Sequence, residues 1–361
     1  KILMFDFSSF LSNKAFITED HHVYTYADLL GLSERFSEHL VPRSLIFIGC
    51  ENSLESIVAY VSCLRSGVVP LLLSRDVPDE TLYHLEAIYH PRYCWFPSRR
   101  DLLVKGKEKY SLGGYSLIQY DGDSPVLPEG LALLLTTSGS TGSPKLVRLS
   151  HDNLKSNACS IIEYLKITSS EKAITSLPMY YSYGLSVLNS HLLAGATLLL
   201  TDKSYVQREF WKFVLEEKAT SFAGVPFTYE ILKKMRFEKF LPSSVKVMTQ
   251  AGGKLNSSLI KYFSEYARLH DIRFYVMYGQ TEATARMSYL PAEYTLNKVG
   301  SVGVAIPGGH FSLIDEDGMR IVSPNVEGEL VYEGSNVFWG YAESLDDLFK
   351  GDENKGILYT G

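Results

Sequence analysis

The chain has 361 residues, of which 45% are hydrophobic and 21% are charged, values typical of a globular protein. This composition excludes a disordered, collagen-like or coiled-coil chain, and the length predicts two or three domains of about 100–200 residues each. The 35 basic and 41 acidic residues give a formal net charge of −6, which disfavours nucleic acid as a partner. No apolar run approaches the roughly 20 residues of a membrane span.

Between residues 44 and 280, short apolar strands alternate with segments whose apolar residues recur at helical spacing. In chain order, the predicted strands are 44–50, 68–73, 131–137, 172–177, 196–200, 245–249 and 273–277. The predicted helices are 53–66, 152–164, 185–193, 208–217 and 257–269. This alternation predicts an α/β fold with two mainly parallel sheets covered by helices.

Past residue 295 the pattern changes to dense glycine and proline with short strands at 311–315 and 328–333. The run 315–318, Asp-Glu-Asp-Gly, predicts a hairpin turn. We therefore expect a first α/β subdomain over 1–175, a second over 176–298 and a small β-rich subdomain over 299–361.

The cysteines lack the CxxC spacing of a zinc site, and a disulfide framework is not expected at this size. Their neighbours are apolar, so we expect buried thiols in a reducing compartment, and hence a cytoplasmic protein. They are Cys50, Cys63, Cys94 and Cys159. The histidine His191 falls in an apolar helical run and is predicted to be a core residue with satisfied polar atoms.

The densest chemical signal is the segment 136–145, Thr-Thr-Ser-Gly-Ser-Thr-Gly-Ser-Pro-Lys, which follows a predicted strand. Its glycines allow main-chain N–H groups to turn towards an anion, its hydroxyls add donors, and Lys145 adds a positive charge. Phosphate is the ligand that suits this set. The segment is not a Walker A loop, because no Gly-Lys-[Ser/Thr] occurs at the required spacing. The predicted binding residues of the loop are Thr137, Ser138, Gly139, Ser140, Thr141 and Gly142.

A second motif, 275–282, reads Tyr-Val-Met-Tyr-Gly-Gln-Thr-Glu and ends a predicted strand. Together with the hydroxyl-rich loop, it resembles the adenylate-forming superfamily of acyl-CoA synthetases, nonribosomal adenylation domains and luciferases. The resemblance implies that Tyr278 and Gly279 contact the adenine nucleotide, that Thr281 lies near the α-phosphate and that Glu282 binds Mg²⁺. An aromatic face suits a planar base, and a carboxylate suits a hard cation.

Weaker blocks in the family's order extend the resemblance over nearly the whole chain, at 24–29, 64–71, 250–253, 328–330, 340–341 and 359–361. The block 250–253 implies that Ala251 borders the acid and that Gly252 and Gly253 border adenine. The glycine usual after Pro-Lys is Leu146 here. We expect the chain to end before the ribose-binding aspartate and the mobile C-terminal domain with its catalytic lysine. We therefore expect it to bind nucleotide weakly and to adenylate slowly or undetectably.

The segment 177–185 occupies the block that shapes the acyl pocket in the family. Tyr181 stands where many acyl- and aryl-CoA synthetases have an aromatic gate, commonly histidine. Gly184 stands where amino-acid-activating relatives carry an aspartate. Because a buried ammonium without a carboxylate is costly, we expect an acid without an α-amino group, such as a fatty, aryl or hydroxy acid. If the alignment is shifted, Asp202 could supply the carboxylate instead.

The resemblance implies that the protein activates a carboxylic acid with ATP and Mg²⁺ as acyl-AMP, with Lys145, Thr281 and Glu282 as catalytic residues. The acyl group would then pass to the thiol of CoA or of a carrier-protein phosphopantetheine. Two alternatives stay open: a carrier-protein-loading adenylation domain for an amino or hydroxy acid, and a non-catalytic nucleotide- or acyl-binding relative. The departures at Leu146 and Tyr181 favour the last alternative, whereas an intact Lys145 and Glu282 argue against it.

Overall fold

The computed structural model describes residues 4–98, 105–137 and 145–361. Its helices are α1 Tyr26–Ser37, α2 Leu54–Ser66, α3 Asp79–Tyr89, α4 His151–Leu165, α5 Ser182–Leu193, α6 Arg208–Glu216, α7 Pro226–Lys234 and α8 Ser257–Leu269. Its strands up to the middle of the chain are β1 Lys14–Ile17, β2 Val23–Thr25, β3 Leu45–Cys50, β4 Val69–Ser74, β5 Tyr93–Pro97, β6 Gly106–Leu112, β7 Tyr115–Tyr120, β8 Leu131–Thr136, β9 Leu146–Ser150, β10 Lys172–Ile174 and β11 Thr197–Leu199. The later strands are β12 Ser221–Gly224, β13 Val247–Gln250, β14 Arg273–Gln280, β15 Ala285–Leu290, β16 Val304–Ala305, β17 His310–Ile314, β18 Arg320–Ile321, β19 Glu329–Glu333, β20 Gly340–Ala342 and β21 Ile357–Tyr359.

Two large sheets form the body of the described residues. The first has the strand order β20-β9-β8-β4-β3-β5-β7-β6, and the second has the order β16-β15-β14-β13-β12-β10-β11-β1-β2. Their central strands are parallel, as predicted, and the α/β fold class is confirmed. Antiparallel strands flank the parallel core of each sheet. A smaller antiparallel sheet, β18-β17-β19-β21, contains the predicted turn after residue 314.

The sheets exchange strands across the division that chain order predicts. Strands β1 and β2, from the N-terminal part, belong to the second sheet, while β20, from the C-terminal part, pairs with β9 in the first. The division at residues 175 and 298 therefore stays a prediction about chain order, and the sheets themselves are not contiguous in sequence.

The segment after the predicted phosphate loop differs from the expectation. We expected a helix to follow the loop, but β9 comes first and pairs antiparallel with β8, so the loop joins two neighbouring strands. All five residues of β9 are buried, and Leu146 packs in an apolar cluster with residues of the first sheet. This burial gives a packing reason for leucine where the family usually has glycine.

Helix α4 then starts from a reciprocal cap. The Ser150 hydroxyl accepts a hydrogen bond from the Asn153 N–H (3.0 Å), and the Asn153 side chain accepts one from the Ser150 N–H (2.9 Å). Such caps contribute about 1 kcal/mol. The Asn153 amide also donates to the carbonyls of Ser335 and Val337, both at 2.8 Å. This cap therefore fixes the chain that leads into β20, which reaches the site described below.

Apolar residues from both sheets and from α1, α2, α4 and α5 form the largest core cluster. His191 lies in this region, buried, with its Nδ1 2.8 Å from the Val187 carbonyl, which agrees with the prediction of a satisfied core histidine. Three of the cysteines are buried as predicted, but Cys159 is exposed on α4, so that expectation was wrong for one thiol. Within the described ranges, no helix has the length and apolar character that a membrane span requires.

Candidate active site

The motif 275–282 lies at the end of β14, where that strand runs beyond its parallel neighbour β13. The two strands pair from Val247 with Arg273 to Gln250 with Val276, so their carboxyl ends meet at one edge of the sheet. Ligands of α/β proteins bind at such edges. Beyond β13, strand β14 pairs only with β15, with an irregularity between Tyr278 and Gly279.

Gly279 is required by this irregularity. A Cβ at this position would lie 1.7 Å from the carbonyl oxygen of Ala285, so no larger residue fits the backbone as it stands. The close approach of the two strands turns the following residues, Thr281 and Glu282, into a short 3₁₀ turn (Thr281–Ala283) at the sheet edge. The backbone therefore requires glycine at this position of the motif, whether or not a ligand binds nearby.

A cavity of about 260 Å³, called here the site cavity, opens beside this turn. Eight of the predicted site residues line it, although they come from four separate parts of the chain. They are Thr137, Tyr181, Ala251, Gly252, Tyr278, Gly279, Thr281 and Glu282. The sequence analysis missed the other lining residues, which are Ser182, Tyr183, Gln280, Ala285 and Arg286.

Three predicted residues that the structure describes, Gly253, Lys145 and Gly184, do not line the site cavity. Gly253 follows the lining residue Gly252 in sequence, and its carbonyl accepts a hydrogen bond from the Gln250 side-chain amide at 2.8 Å. Lys145 ends the loop segment, and its carbonyl accepts a hydrogen bond from the Thr137 N–H at 3.3 Å. Gly184 is discussed below. The loop residues Ser138, Gly139, Ser140, Thr141 and Gly142 lie outside the described residues.

Two hydroxyls join the Thr-Glu turn to helix α5. The Thr281 and Ser182 oxygens are 3.0 Å apart, at hydrogen-bonding distance. On the next residue of the helix, the Tyr183 hydroxyl lies 2.7 Å from the Thr249 hydroxyl of β13. These contacts fix the start of α5 against both strands, so the Thr281 side chain has a defined position at the cavity wall.

Glu282 is in contact with the first sheet through Tyr341 of β20. The Tyr341 hydroxyl donates a 2.7 Å hydrogen bond to Glu282 Oε1. Burial, together with the neighbouring Glu282 carboxylate, raises the pKa of Tyr341 above its ordinary value, so this hydroxyl remains a donor. The sequence analysis placed residues 340–341 in a family block without a role, because nothing local marks a contact across 59 positions.

Lys145 lies on the other side of the same tyrosine. Its Nζ is 5.3 Å from the centroid of the Tyr341 ring and 3.2 Å from Glu343 Oε1. The Lys145 and Glu343 side chains are both about half exposed, so this ion pair contributes little to stability. Lys145, Tyr341 and Glu282 therefore form a continuous row at the edge of the site cavity.

The residues present can hold Mg²⁺ only with help from a ligand. No group of three or more His, Cys, Asp or Glu side chains that could hold a metal occurs in the parts of the chain that the structure describes. Magnesium commonly takes one or two protein carboxylates and completes its shell with phosphate oxygens and water. Tyr341 bonds one Glu282 oxygen, and no described residue hydrogen-bonds the other, so this side chain fits that pattern.

Gly184 has a packing role in this structure. A Cβ there would lie 2.2 Å from the Pro178 carbonyl oxygen, so an aspartate could not occupy this position without a backbone shift. The missing carboxylate therefore gives no independent information about a substrate amino group. Asp202 does not replace it, because its Oδ1 accepts a hydrogen bond from the Asn52 N–H (3.0 Å) away from the site cavity.

Comparison with known proteins agrees with this geometry. The family model described as AMP-binding enzyme matches residues 9–342. A 2-succinylbenzoate–CoA ligase of Bacillus cereus is 30% identical over 372 residues, covering 98% of this chain and 74% of that protein. Among solved structures, a long-chain-fatty-acid–CoA ligase (FadD1) of Archaeoglobus fulgidus superposes with a TM-score of 0.83 at 18% identity, covering 100% of this chain and 81% of that one. The o-succinylbenzoate CoA synthetase (MenE) of Bacillus subtilis in complex with AMP has a TM-score of 0.78 at 22% identity, covering 98% and 74%.

Proposed function

The chain belongs to the AMP-binding enzyme family, and we propose that it activates a carboxylic acid with ATP as an acyl-adenylate and passes the acyl group to a thiol. One observation carries this proposal. The site cavity brings Tyr278, Thr281 and Glu282 together with Thr137, which stands at the start of the hydroxyl-rich segment. An aromatic face, a hydroxyl and a carboxylate at the end of a parallel strand form a suitable set for a magnesium nucleotide.

In the first half-reaction, an oxygen of the substrate carboxylate attacks the α-phosphorus of ATP. A new oxygen–phosphorus bond forms, the bond to the β-phosphate breaks, and pyrophosphate leaves with its electron pair. No protein nucleophile is required. The protein contributes positioning of the two reactants and fixed donors for the charge that develops on phosphate oxygens.

Each residue of the motif has a part in this positioning. Tyr278 offers its ring to the adenine base, and Thr281 offers its hydroxyl to the α-phosphate. Ser182 lies 3.0 Å from the Thr281 oxygen and orients that hydroxyl. Tyr181 and Ala251 line the same cavity and are assigned to the acid. The loop residues 138–142 are assigned to the β- and γ-phosphates, with Lys145 supplying positive charge.

Magnesium is part of the proposal. When bound at Glu282, it would neutralise charge on the phosphates and so ease the departure of pyrophosphate. The Tyr341 hydroxyl donates a hydrogen bond to one Glu282 oxygen and so fixes the orientation of the carboxylate. This arrangement makes Tyr341 a positioning residue for the Glu282 side chain.

In the second half-reaction, a thiol attacks the acyl carbon and AMP leaves. CoA is the thiol acceptor that the names of similar ligases indicate. The phosphopantetheine of a carrier protein is the alternative acceptor. We place the reaction in the cytoplasm, since Cys50, Cys63 and Cys94 are free thiols, as is usual in a reducing compartment.

Calorimetric titration of ATP with and without Mg²⁺ tests the nucleotide site. We expect Mg²⁺ to tighten binding to the unaltered chain, and we expect Glu282→Gln to remove most of that gain. A matched control is Glu316→Gln, which changes an exposed carboxylate in the turn before β18. An equal magnesium effect in Glu282→Gln and in the control would contradict the assignment of Glu282.

A further inference from the structure

The site cavity contains a buried positive charge that the proposed reaction does not use. Arg286, in β15, is 2% exposed. It lines the site cavity and also an inner cavity of about 30 Å³, which His191 and Thr249 line as well. The guanidinium therefore stands between the nucleotide site and the apolar interior.

The described residues that contact this guanidinium are all neutral. Its Nε donates to the Ser186 hydroxyl (3.1 Å), its Nη1 donates to the Tyr164 hydroxyl (3.0 Å), and its Cζ lies 5.1 Å from the centroid of the Tyr183 ring. Among the described residues, no aspartate or glutamate forms an ion pair with Arg286, and none accepts a hydrogen bond from its Nη2. Burial also lowers the pKa of neighbouring His191 to about 4, so the imidazole is neutral near pH 7.

The acids that line the two cavities are engaged elsewhere. Glu282 accepts a hydrogen bond from Tyr341, and Glu171, at the inner cavity, accepts one from the Thr220 hydroxyl. Neither lies within ion-pair distance of the guanidinium. Arg286 thus has neutral hydrogen-bond acceptors at its Nε and Nη1, while its Nη2 lacks an acceptor among the described residues.

A second buried arginine among the described residues, Arg148, shows what surrounds a guanidinium with a structural role. The Arg148 side chain is 0% exposed and pairs with the Glu353 carboxylate. It also donates to the carbonyls of Tyr341 (3.3 Å), Trp339 (3.3 Å) and Gly351 (3.2 Å). A buried charge requires such a counter-ion, because water is removed from it. Arg286 has none among the residues that the structure describes, which indicates that a ligand supplies it.

We propose that Arg286 determines substrate specificity by pairing with a second carboxylate of the acid, so that the substrate is a dicarboxylate. This inference rests on the proposed function, since it assigns the site cavity to the acid. One carboxylate of the substrate lies towards Thr281 and is adenylated, and the other lies against the guanidinium. Arginine suits this task because its planar donors match the two oxygens of a carboxylate and its charge persists at every physiological pH.

The competing explanation is that Arg286 only holds Ser186 and Tyr164 in place. Calorimetry of acids binding to the chain with AMP separates the two roles. The probes are alkyl dicarboxylates from succinate to adipate and the three benzenedicarboxylates, each compared with its half-amide, which keeps the size and removes one charge. A specificity role predicts that at least one diacid binds about 10- to 100-fold more tightly than its half-amide.

Three variants make the test specific. Arg286→Gln should bring the ratio of diacid to half-amide affinity near one, Arg286→Lys should keep part of it, and Tyr164→Phe should keep most of it. Arg320→Gln, an exposed arginine in β18, is the matched control and should change nothing. If Arg286→Gln does not fold, as far-ultraviolet circular dichroism would show, the comparison of diacid with half-amide on the unaltered chain still decides.

The possible outcomes separate this inference from the proposed function. Equal binding of every diacid and its half-amide, or a preference unchanged in Arg286→Gln, overturns the role of Arg286. Binding of AMP with no binding of any diacid also overturns it and leaves the nucleotide site intact. Arg286-dependent diacid binding in a protein that never binds ATP would support the inference and refute the proposed function.

Discussion

The Tyr341 hydroxyl and the Glu282 carboxylate lie 2.7 Å apart and connect the two large sheets at the candidate active site. Tyr341 belongs to β20 at the edge of the first sheet, and Glu282 follows β14 of the second. The proposed magnesium ligand is therefore positioned by a residue from the other half of the fold. Any movement of one sheet against the other would alter the orientation of this carboxylate.

Removing the Tyr341 hydroxyl should weaken magnesium-nucleotide binding without unfolding the protein. The hydrogen bond is to a charged group, but Tyr341 is 38% exposed, so we expect a loss of about 1 kcal/mol, or roughly fivefold in affinity. Titration of Mg-ATP into Tyr341→Phe measures it, with Tyr359→Phe, an exposed tyrosine, as the control. Unchanged affinity in Tyr341→Phe would show that the hydroxyl does not position Glu282.

Replacing Arg148 should destabilise the fold strongly. Arg148→Gln would leave the Glu353 carboxylate with the longer contact to Lys350 Nζ (4.0 Å). It would also remove the donor from several carbonyls in β20 and the segments around it. Since Glu353 is half exposed, we expect a loss of roughly 2–4 kcal/mol in the free energy of unfolding. Urea denaturation measures this loss, and Arg320→Gln should change the free energy by less than about 0.5 kcal/mol.

The buried His191 should make the protein less stable in acid. Burial lowers the pKa of His191 from 6.5 to about 4. Between these values the unfolded chain binds a proton that the folded chain does not, so the free energy of unfolding falls as the pH decreases, by about 3 kcal/mol at most. Above pH 6.5 the effect is absent, because the histidine is neutral in both states.

Urea denaturation at several pH values measures this effect as a difference between two proteins. His191→Asn has no imidazole to titrate, so its free energy of unfolding should decrease less between pH 6.5 and 4 than that of the unaltered chain. Asp202 remains in both proteins and cancels in the difference; burial raises its pKa to about 6, an effect of opposite sign. Parallel pH profiles for the two proteins would show that folding does not lower the pKa of His191.

An α-amino group on the acid should weaken its binding. The site cavity already contains the buried guanidinium of Arg286, and a second positive charge in the same cavity is repelled. We expect L-glutamate to bind about tenfold or more weakly than glutarate. Calorimetry with AMP present compares the two acids, and tighter binding of L-glutamate would support an amino acid substrate instead. Gly184 gives no information about an amino group on the substrate, because close packing explains its missing side chain.

Features that depend on a few neighbouring residues could be predicted from the sequence. The spacing of apolar residues placed α8 at Ser257–Leu269, as the structure has it, and the motif 275–282 placed Tyr278, Thr281 and Glu282 at one strand end. Hydrophobic periodicity and strand-end chemistry are local properties, so a single sequence contains them.

Features that depend on distant pairing could not be predicted. Strand β9 is only five residues long and lies between a loop and a helix, so the sequence pattern did not indicate a separate strand there. The hairpin of β6 and β7 has the exposed residues Lys107, Glu108 and Lys109 on its first strand, a composition more typical of a surface loop than of a strand. The contacts of Tyr341 and Arg286 arise from residues 59 and 122 positions away, and no local pattern indicates them.

The measurement that tests the central claim most directly is acid-dependent exchange of labelled pyrophosphate into ATP, with the dicarboxylate that binds most tightly as substrate. We predict that exchange requires both the acid and Mg²⁺, and that Thr281→Ala and Glu282→Gln each reduce it by at least about tenfold while Glu316→Gln does not. Exchange that proceeds equally in all three variants would place the chemistry elsewhere. Exchange that does not depend on the acid would contradict adenylate formation by this protein.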